Sequence, residues 1–231
     1  MIEPRFEPEH ANALLDVVVG VIVAIPLARV PGELRQLFAN MKTRNTTDAT
    51  KTATSLLLDI TVLVFVTFYW IETRSFVTSQ VAFDKALGSL SSDATHLPRF
   101  IFVIGSLAMI TVAAAMIAWA NAEDIRLFFA TNVLFWSLDV AGAILLRHAY
   151  GAYASQAAAL QRADPIAYGA LYEWYSQHIT SPEYVAFGIF NGLLFIAALV
   201  LDRILGGRPV LRLILGAIVL VGTISRHAAL S

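Results

Sequence analysis

Six stretches of the chain stay apolar for about 16 to 22 residues, the length at which an α-helix crosses a hydrocarbon core of roughly 30 Å. They run over 12–30, 54–71, 100–119, 125–146, 184–201 and 210–224. Strands of a membrane barrel would alternate apolar and polar positions over roughly ten residues, and these stretches do not. The pattern therefore predicts an all-α, polytopic membrane protein, with six transmembrane helices in one bundle that forms a single domain over 1–231.

The polar intervals predict how the helices are joined. Pro31 closes the first apolar run, and the interval after it is the most basic connection, with Arg35, Lys42, Arg44 and Lys51. Within it Leu34, Leu37, Phe38 and Met41 recur at helical spacing, which fits either an amphipathic helix at the membrane surface or a solvated loop. Tyr69 and Trp70 end the second run as an interfacial belt, and the interval up to Arg99 reads as a solvent-exposed connection. Asn121, Glu123 and Asp124 predict a short turn. The long interval from Arg147 to Pro182 breaks at Asp164 and Pro165, with a surface helix over Ala167 to His178, and its aromatic content fits either a place at the lipid interface or a cap on the bundle. Pro26 lies inside the first run and is expected to kink it.

Composition sharpens the class. Of 231 residues 58% are hydrophobic and 14% charged, and mean hydropathy is +0.68, all outside the range of an ordinary soluble domain. A net charge of -1 leaves no basic surface for nucleic acid. Cysteine is absent, which removes disulfides, thiolate metal sites and cysteine nucleophiles. No small-residue cleavage site follows the first run, so it is expected to be retained rather than removed as a signal peptide. Counting the helix ends, nine Lys and Arg go with the connections after the first, third and fifth runs, and seven with the opposite side. The positive-inside rule then leans toward both termini outside.

Acids inside apolar helices are costly and face company or water, so they carry the candidate chemistry. Asp16 opens the first run, and the positions one and two turns on are Gly20, Val21, Ala24 and Ile25, a small-residue wall that packs tightly. Asp59 and Asp139 lie within the second and fourth runs. Ionised, these acids attract a cation or pair with Arg29, Arg147 or His148; protonated, they relay protons, and each also has a purely structural reading as a hydrogen-bonded lock. The three share Leu-Asp followed by Val or Ile, a pattern compatible with a three-plus-three repeat. Gly188 and Gly192 form a Gly-x-x-x-Gly pair, and they, Gly20 and Gly142 read as helix-packing contacts.

Enzymatic signatures are missing. The five histidines, His10, His96, His148, His178 and His227, show no ligand spacing, and there is neither a Gly-x-Ser-x-Gly elbow nor a phosphate-binding glycine loop. No catalytic residue, metal or cofactor is expected.

His10, three residues, Leu14-Leu15-Asp16, an apolar helix and Pro31 resemble the opening of the bacterial homologues of the lysosomal and endosomal potassium channel, in which an arginine, three residues and Phe-Ser-Asp precede the helix and its proline. The Asp and the proline match; His10, Leu14 and Leu15 depart. The end of the second run, FYWIETRSF, is similar to that family's aromatic, Trp, then basic ending. The resemblance implies six helices and a tetramer in which the first helix of each subunit surrounds a pore closed by apolar rings, with Val21 and Ile25 at the constriction. It opposes the outside-termini lean, since the family keeps its termini in the cytoplasm. The expectation is thus a homo-oligomeric channel of the cytoplasmic membrane for a monovalent cation such as potassium, lined by Asp16, Gly20, Val21 and Ile25. The alternatives are a proton-coupled small-solute transporter relaying through Asp59 and Asp139, and a non-transporting accessory subunit.

Overall fold

In the computed structural model, residues 8–88, 96–151, 154–176 and 182–230 are described, and all the regular elements among them are helices. In chain order these are α1 (Pro8–Lys42), α2 (Thr46–Gly88), α3 (His96–Ala118), α4 (Ile125–Gly151), α5 (Ala154–Ala163), α6 (Pro165–Tyr175), α7 (Glu183–Ile204) and α8 (Pro209–Leu230). Four of them, α1, α2, α4 and α7, are long and apolar enough to cross a membrane. Among the described residues α3 and α8 contribute shorter apolar stretches, Ala108–Ala118 and Pro209–Ile224.

The polar intervals differ most from the sequence reading. The first helix does not stop at Pro31: α1 passes through Pro26 and Pro31 and ends at Lys42, and after three residues α2 begins, continuing past Trp70 to Gly88. The expected basic connection and most of the next one are therefore helix, while 89–95 lie outside the described residues. Each proline removes one backbone donor, but the extensive α1·α2 packing holds the rod together. At 1.5 Å per residue, the 35 residues of α1 and 43 of α2 extend about 50 and 65 Å, well beyond a hydrocarbon core. Their hairpin projects from the bundle.

Short turns have local causes. Arg44 adopts a left-handed φ of 57°, and Asn45 caps α2 by accepting the Asp48 amide at 3.2 Å. Asn121 starts α4 in the predicted turn, its side-chain oxygen accepting the amides of Glu123 and Asp124 at 2.9 and 2.8 Å. The last turn uses Gly206 and Gly207, at φ 69° and 67°, to stop α7, and Pro209 to begin α8. The break between Asp164 and Pro165 falls where expected. The surface helix there begins at Pro165 rather than Ala167, and His178 lies outside the described residues.

Packing places α1 on α2, α2 on α8, α8 on α7, α7 on α4 and α4 on α3, with α3 closing back lightly on α1 and α2. The three short turns 43–45, 119–124 and 205–208 share one end of this ring, here called the turn end. The interior is filled with aromatics. Phe65 of α2 meets Phe135 of α4 edge-on at 4.7 Å and Trp136 at 5.7 Å, and Phe128, Phe129 and Phe195 continue the layer. Gly188 is required where α7 crosses α4, since a Cβ there would lie 2.6 Å from Val140 Cγ2, and Gly192 abuts Trp136. The predicted packing role does not extend to Gly20 and Gly142, which have open space around them in the single chain.

Candidate functional site

The polar chemistry inside this apolar bundle gathers at the turn end. Asp59 is fully buried, and its Oδ1 receives the Arg29 Nη2 hydrogen bond at 2.5 Å. The same Nη2 donates to the Ile117 carbonyl at 2.9 Å, so one guanidinium ties α1, α2 and α3. The pair is one of those the sequence allowed. Glu33, one turn further along α1, lies within electrostatic range of both partners. Arg29 Nε, Glu33 Oε2 and Asp59 Oδ2 are buried without a hydrogen-bond partner among the described residues.

A second cluster joins the other helices. Asp202, also fully buried, accepts Arg126 Nε at 2.6 Å and Arg212 Nε at 2.8 Å, with Arg212 Nη2 at 3.3 Å. Arg212 Nη1 reaches the Ala122 carbonyl at 2.9 Å, while the Ala122 amide donates to Ser55 Oγ at 2.9 Å. One acid thereby fastens α4, α7 and α8, and the peptide at Ala122 links them to α2. Asp202 is not among the acids that the sequence singles out, because it falls just past the fifth apolar run and its arginines lie 76 and 10 residues away. A cavity of about 210 Å³ opens beside it, lined by Lys51, Thr54, Ala122, Glu123, Gly207, Pro209 and Arg212.

Asp16 occupies the opposite part of the α1·α2 seam. Trp70 Nε1 donates to its Oδ1 at 2.8 Å, and Arg74 stands 3.8 Å from Oδ2 and 5.8 Å from the centre of the Trp70 ring. Both charged groups are half-exposed, so this is a modest surface pair. At 100° per residue Asp16 lies about 140° around the helix from Val21 and about 180° from Ile25. Val21 and Ile25 thus lie on a different surface of α1 from Asp16, whereas Gly20 and Ala24, about 40° and 80° from it, flank the acid; all four are exposed. Val21 is 61% and Ile25 47% exposed. Asp139 stands elsewhere, on α4 where α7 crosses, and a Cβ at Gly188 would lie 3.5 Å from its Oδ2. Asp59 lies against Arg29 of α1, and Asp139 at the crossing of α4 and α7.

At the other end of the bundle, Tyr175 of α6 donates to the Tyr150 carbonyl at 3.1 Å and fixes the connecting helices beneath α4. Burial, helped by neighbouring Tyr172, pushes its phenol above the usual range.

Apolar rods longer than a bilayer, an aromatic interior and buried, paired charges define a membrane-embedded, all-helical protein. Compared with known proteins, the chain matches no family model, no curated protein sequence and no solved structure.

Proposed function

We propose that the chain is the subunit of a homo-oligomeric channel for monovalent cations, potassium among them, in the cytoplasmic membrane. In this reading α3 and α8 complete six crossings, and α1 stands at the symmetry axis. The observation that carries it is the outward face of α1, where Val17, Gly20, Val21, Ala24 and Ile25 are exposed in a chain whose own interior is packed with side chains. A path through one subunit would have to displace Phe65, Phe135 and Trp136, whereas a path between copies needs only the α1 faces to converge. Rings of Val21 and Ile25 would then form an apolar neck that conducts when wetted and closes when dry. Asp16 belongs to the α1·α2 brace in this arrangement and sets the tilt of α1 instead of touching the ion. The resemblance of FYWIETRSF and of the Asp16 to Pro31 spacing supports the same assignment. The turn end carries nine Lys and Arg against seven on the opposite side, a lean of the positive-inside rule toward a cytoplasmic turn end that departs from the cytoplasmic termini of the resembled family.

Purified protein in liposomes should pass potassium, and Val21→Asn or Ile25→Asn should raise conductance by hydrating the neck. Cation-tight vesicles that contain folded protein overturn the proposal. A second reading, a proton-coupled carrier, draws on the buried Asp59 and Glu33 oxygens that have no hydrogen-bond partner among the described residues. It requires solute uptake driven by a pH gradient and lost in Asp59→Asn and Asp139→Asn.

A further inference from the structure

The outward face of α1 carries more than a membrane wall. Ala13, Val17, Gly20, Ala24 and Leu27 are all apolar and exposed, and they follow one another at alternating steps of four and three residues. The series does not stop with the apolar run: Pro31, Leu34, Phe38 and Met41 continue it in the same register, again all exposed. Such 4-3 spacing is the seam of a helix that packs along another helix. Asn40, on the other side of the rod, donates to Thr52 of α2 at 3.3 Å, so the hairpin partner is already accounted for and does not cover the seam.

Lipid explains only half of it. Between Pro31 and Lys42 the other positions include Glu33, Arg35, Gln36, Asn40 and Lys42, so this part of α1 stands outside the hydrocarbon. Yet Phe38 is 66% and Met41 61% exposed, where burial against protein is favourable and contact with water is not. The seam crosses from lipid into water without losing register, so its occupant is a helix that crosses the same boundary at the same height and has the same repeat. The α1 helix of a second copy meets each of these demands. Small residues in the membrane half, Gly20 and Ala24, permit close approach, and large ones in the projecting half, Leu34, Phe38 and Met41, supply buried area.

We propose that α1 pairs with α1 of a neighbouring copy along this heptad seam, and that Leu34, Phe38 and Met41 zip the assembly together beyond the membrane surface. The proposal rests on the oligomeric reading above for its geometry, but it concerns a contact outside any conduction path. It also reassigns Leu34, Phe38 and Met41, part of the Leu34, Leu37, Phe38 and Met41 stripe that fitted either a helix on the membrane surface or a solvated loop, to a projecting rod that is covered by protein.

The absence of cysteine makes the test direct. Single cysteines are introduced at Leu34, Gln36, Phe38 and Met41 of the full-length protein reconstituted in vesicles, and oxidative crosslinking between copies is read on denaturing gels. Strong crosslinking at 34, 38 and 41, at least five-fold above that at Gln36, is the expected result. Equal crosslinking at all four positions, or none at any of them, overturns the seam; none at all would leave lipid or another protein as its cover. Phe38→Glu with Met41→Glu should shift the protein toward monomer in native mass spectrometry while its helical circular dichroism stays unchanged, and an unaltered oligomer would also count against the seam. Channel activity is recorded separately. A heptad crosslinking pattern in cation-tight vesicles would refute the channel and keep the seam, and potassium flux without the pattern would do the reverse.

Discussion

Replacing Asp202 by Asn should be among the most damaging conservative changes in the molecule. The carboxylate is fully buried and receives two guanidinium groups through three hydrogen bonds of 2.6, 2.8 and 3.3 Å. Asparagine keeps the shape but removes the charge and turns one acceptor into a donor aimed at an arginine. Breaking a buried pair by removing one partner costs about 3–5 kcal/mol, because the remaining charge loses its compensation. Here the arginines soften that figure unequally: the Arg126 side chain is 49% exposed and can turn to water, while Arg212 is 19% exposed and also holds the Ala122 carbonyl. We therefore expect about 3 kcal/mol for Asp202→Asn, about 2–3 kcal/mol for Arg212→Gln and about 1 kcal/mol or less for Arg126→Gln. For a chain of this length 3 kcal/mol corresponds to a fall in melting temperature of about 6–12 °C. Intrinsic tryptophan fluorescence during heating of detergent-solubilised protein reads it. The ranking matters more than the size. If Asp202→Asn melts within a degree or two of the parent, or if Arg126→Gln proves worse than Arg212→Gln, the cluster is not the clasp that joins α4, α7 and α8.

Other consequences can be checked with the same assay. Gly188→Ala places a methyl 2.6 Å from Val140 Cγ2 and should cost about 1–3 kcal/mol by pushing α7 off α4, whereas Gly142→Ala, with open space around it, should be neutral or gain about 0.5–1 kcal/mol from helix propensity. Equal responses at the two glycines would mean that α4 and α7 do not cross as described. Tyr175 holds its proton more tightly folded than unfolded. Stability is then unaffected below the unfolded value near 10 and falls as pH rises from there through the folded value. Tyr175→Phe should lower stability by about 1 kcal/mol at neutral pH, through the lost bond to Tyr150, and flatten the alkaline decline. An unchanged alkaline slope in that variant would assign the decline to other groups.

The parts of this architecture that depend on local physics were legible in the chain. Each of the six apolar stretches lies largely within a helix, and the turn at Asn121 and the break at Pro165 follow from side-chain hydrogen bonding and proline geometry, which act over a few residues. Hydropathy does not register a helix once it leaves the lipid. It therefore ended the first element at Pro31 and the second near Ile71, although the α1·α2 contact carries both rods further. Asp59 and its Arg29 partner were within reach because an acid in an apolar run demands a partner and few cations share its depth. Asp202 stood at the edge of a run next to Arg203, where a solvated turn explains it equally well. Only the fold brings Arg126 and Arg212 to it. Likewise the wall of α1 was visible as small residues, but spacing gives relative angle and not which direction is inward.

The two buried acids together say something about how the bundle divides. Asp59 holds α1, α2 and α3 through Arg29, and Asp202 holds α4, α7 and α8 through its two arginines. Each acid thus closes a three-helix group, and both act at the turn end. There, beside the apolar packing of α2 on α8, the peptide of Ala122 links the groups through hydrogen bonds, gripped by Ser55 from one side and Arg212 from the other. Toward the opposite end the connection between groups changes character: Phe65 and Tyr69 of α2 meet Phe135 of α4 through ring contacts, which lack the directional lock of a charge-assisted bond. A bundle clasped at one end and greased at the other opens from the greased end. Amide hydrogen exchange should therefore protect α2 around Ser55 to Asp59 more strongly than α2 around Phe68 to Ile71. Ser55→Ala, which removes the acceptor of the Ala122 amide, should abolish much of that difference while leaving the two acid clusters intact. Equal protection along α2 would mean that the aromatic layer, and not the charged clasps, sets the stiffness of the bundle.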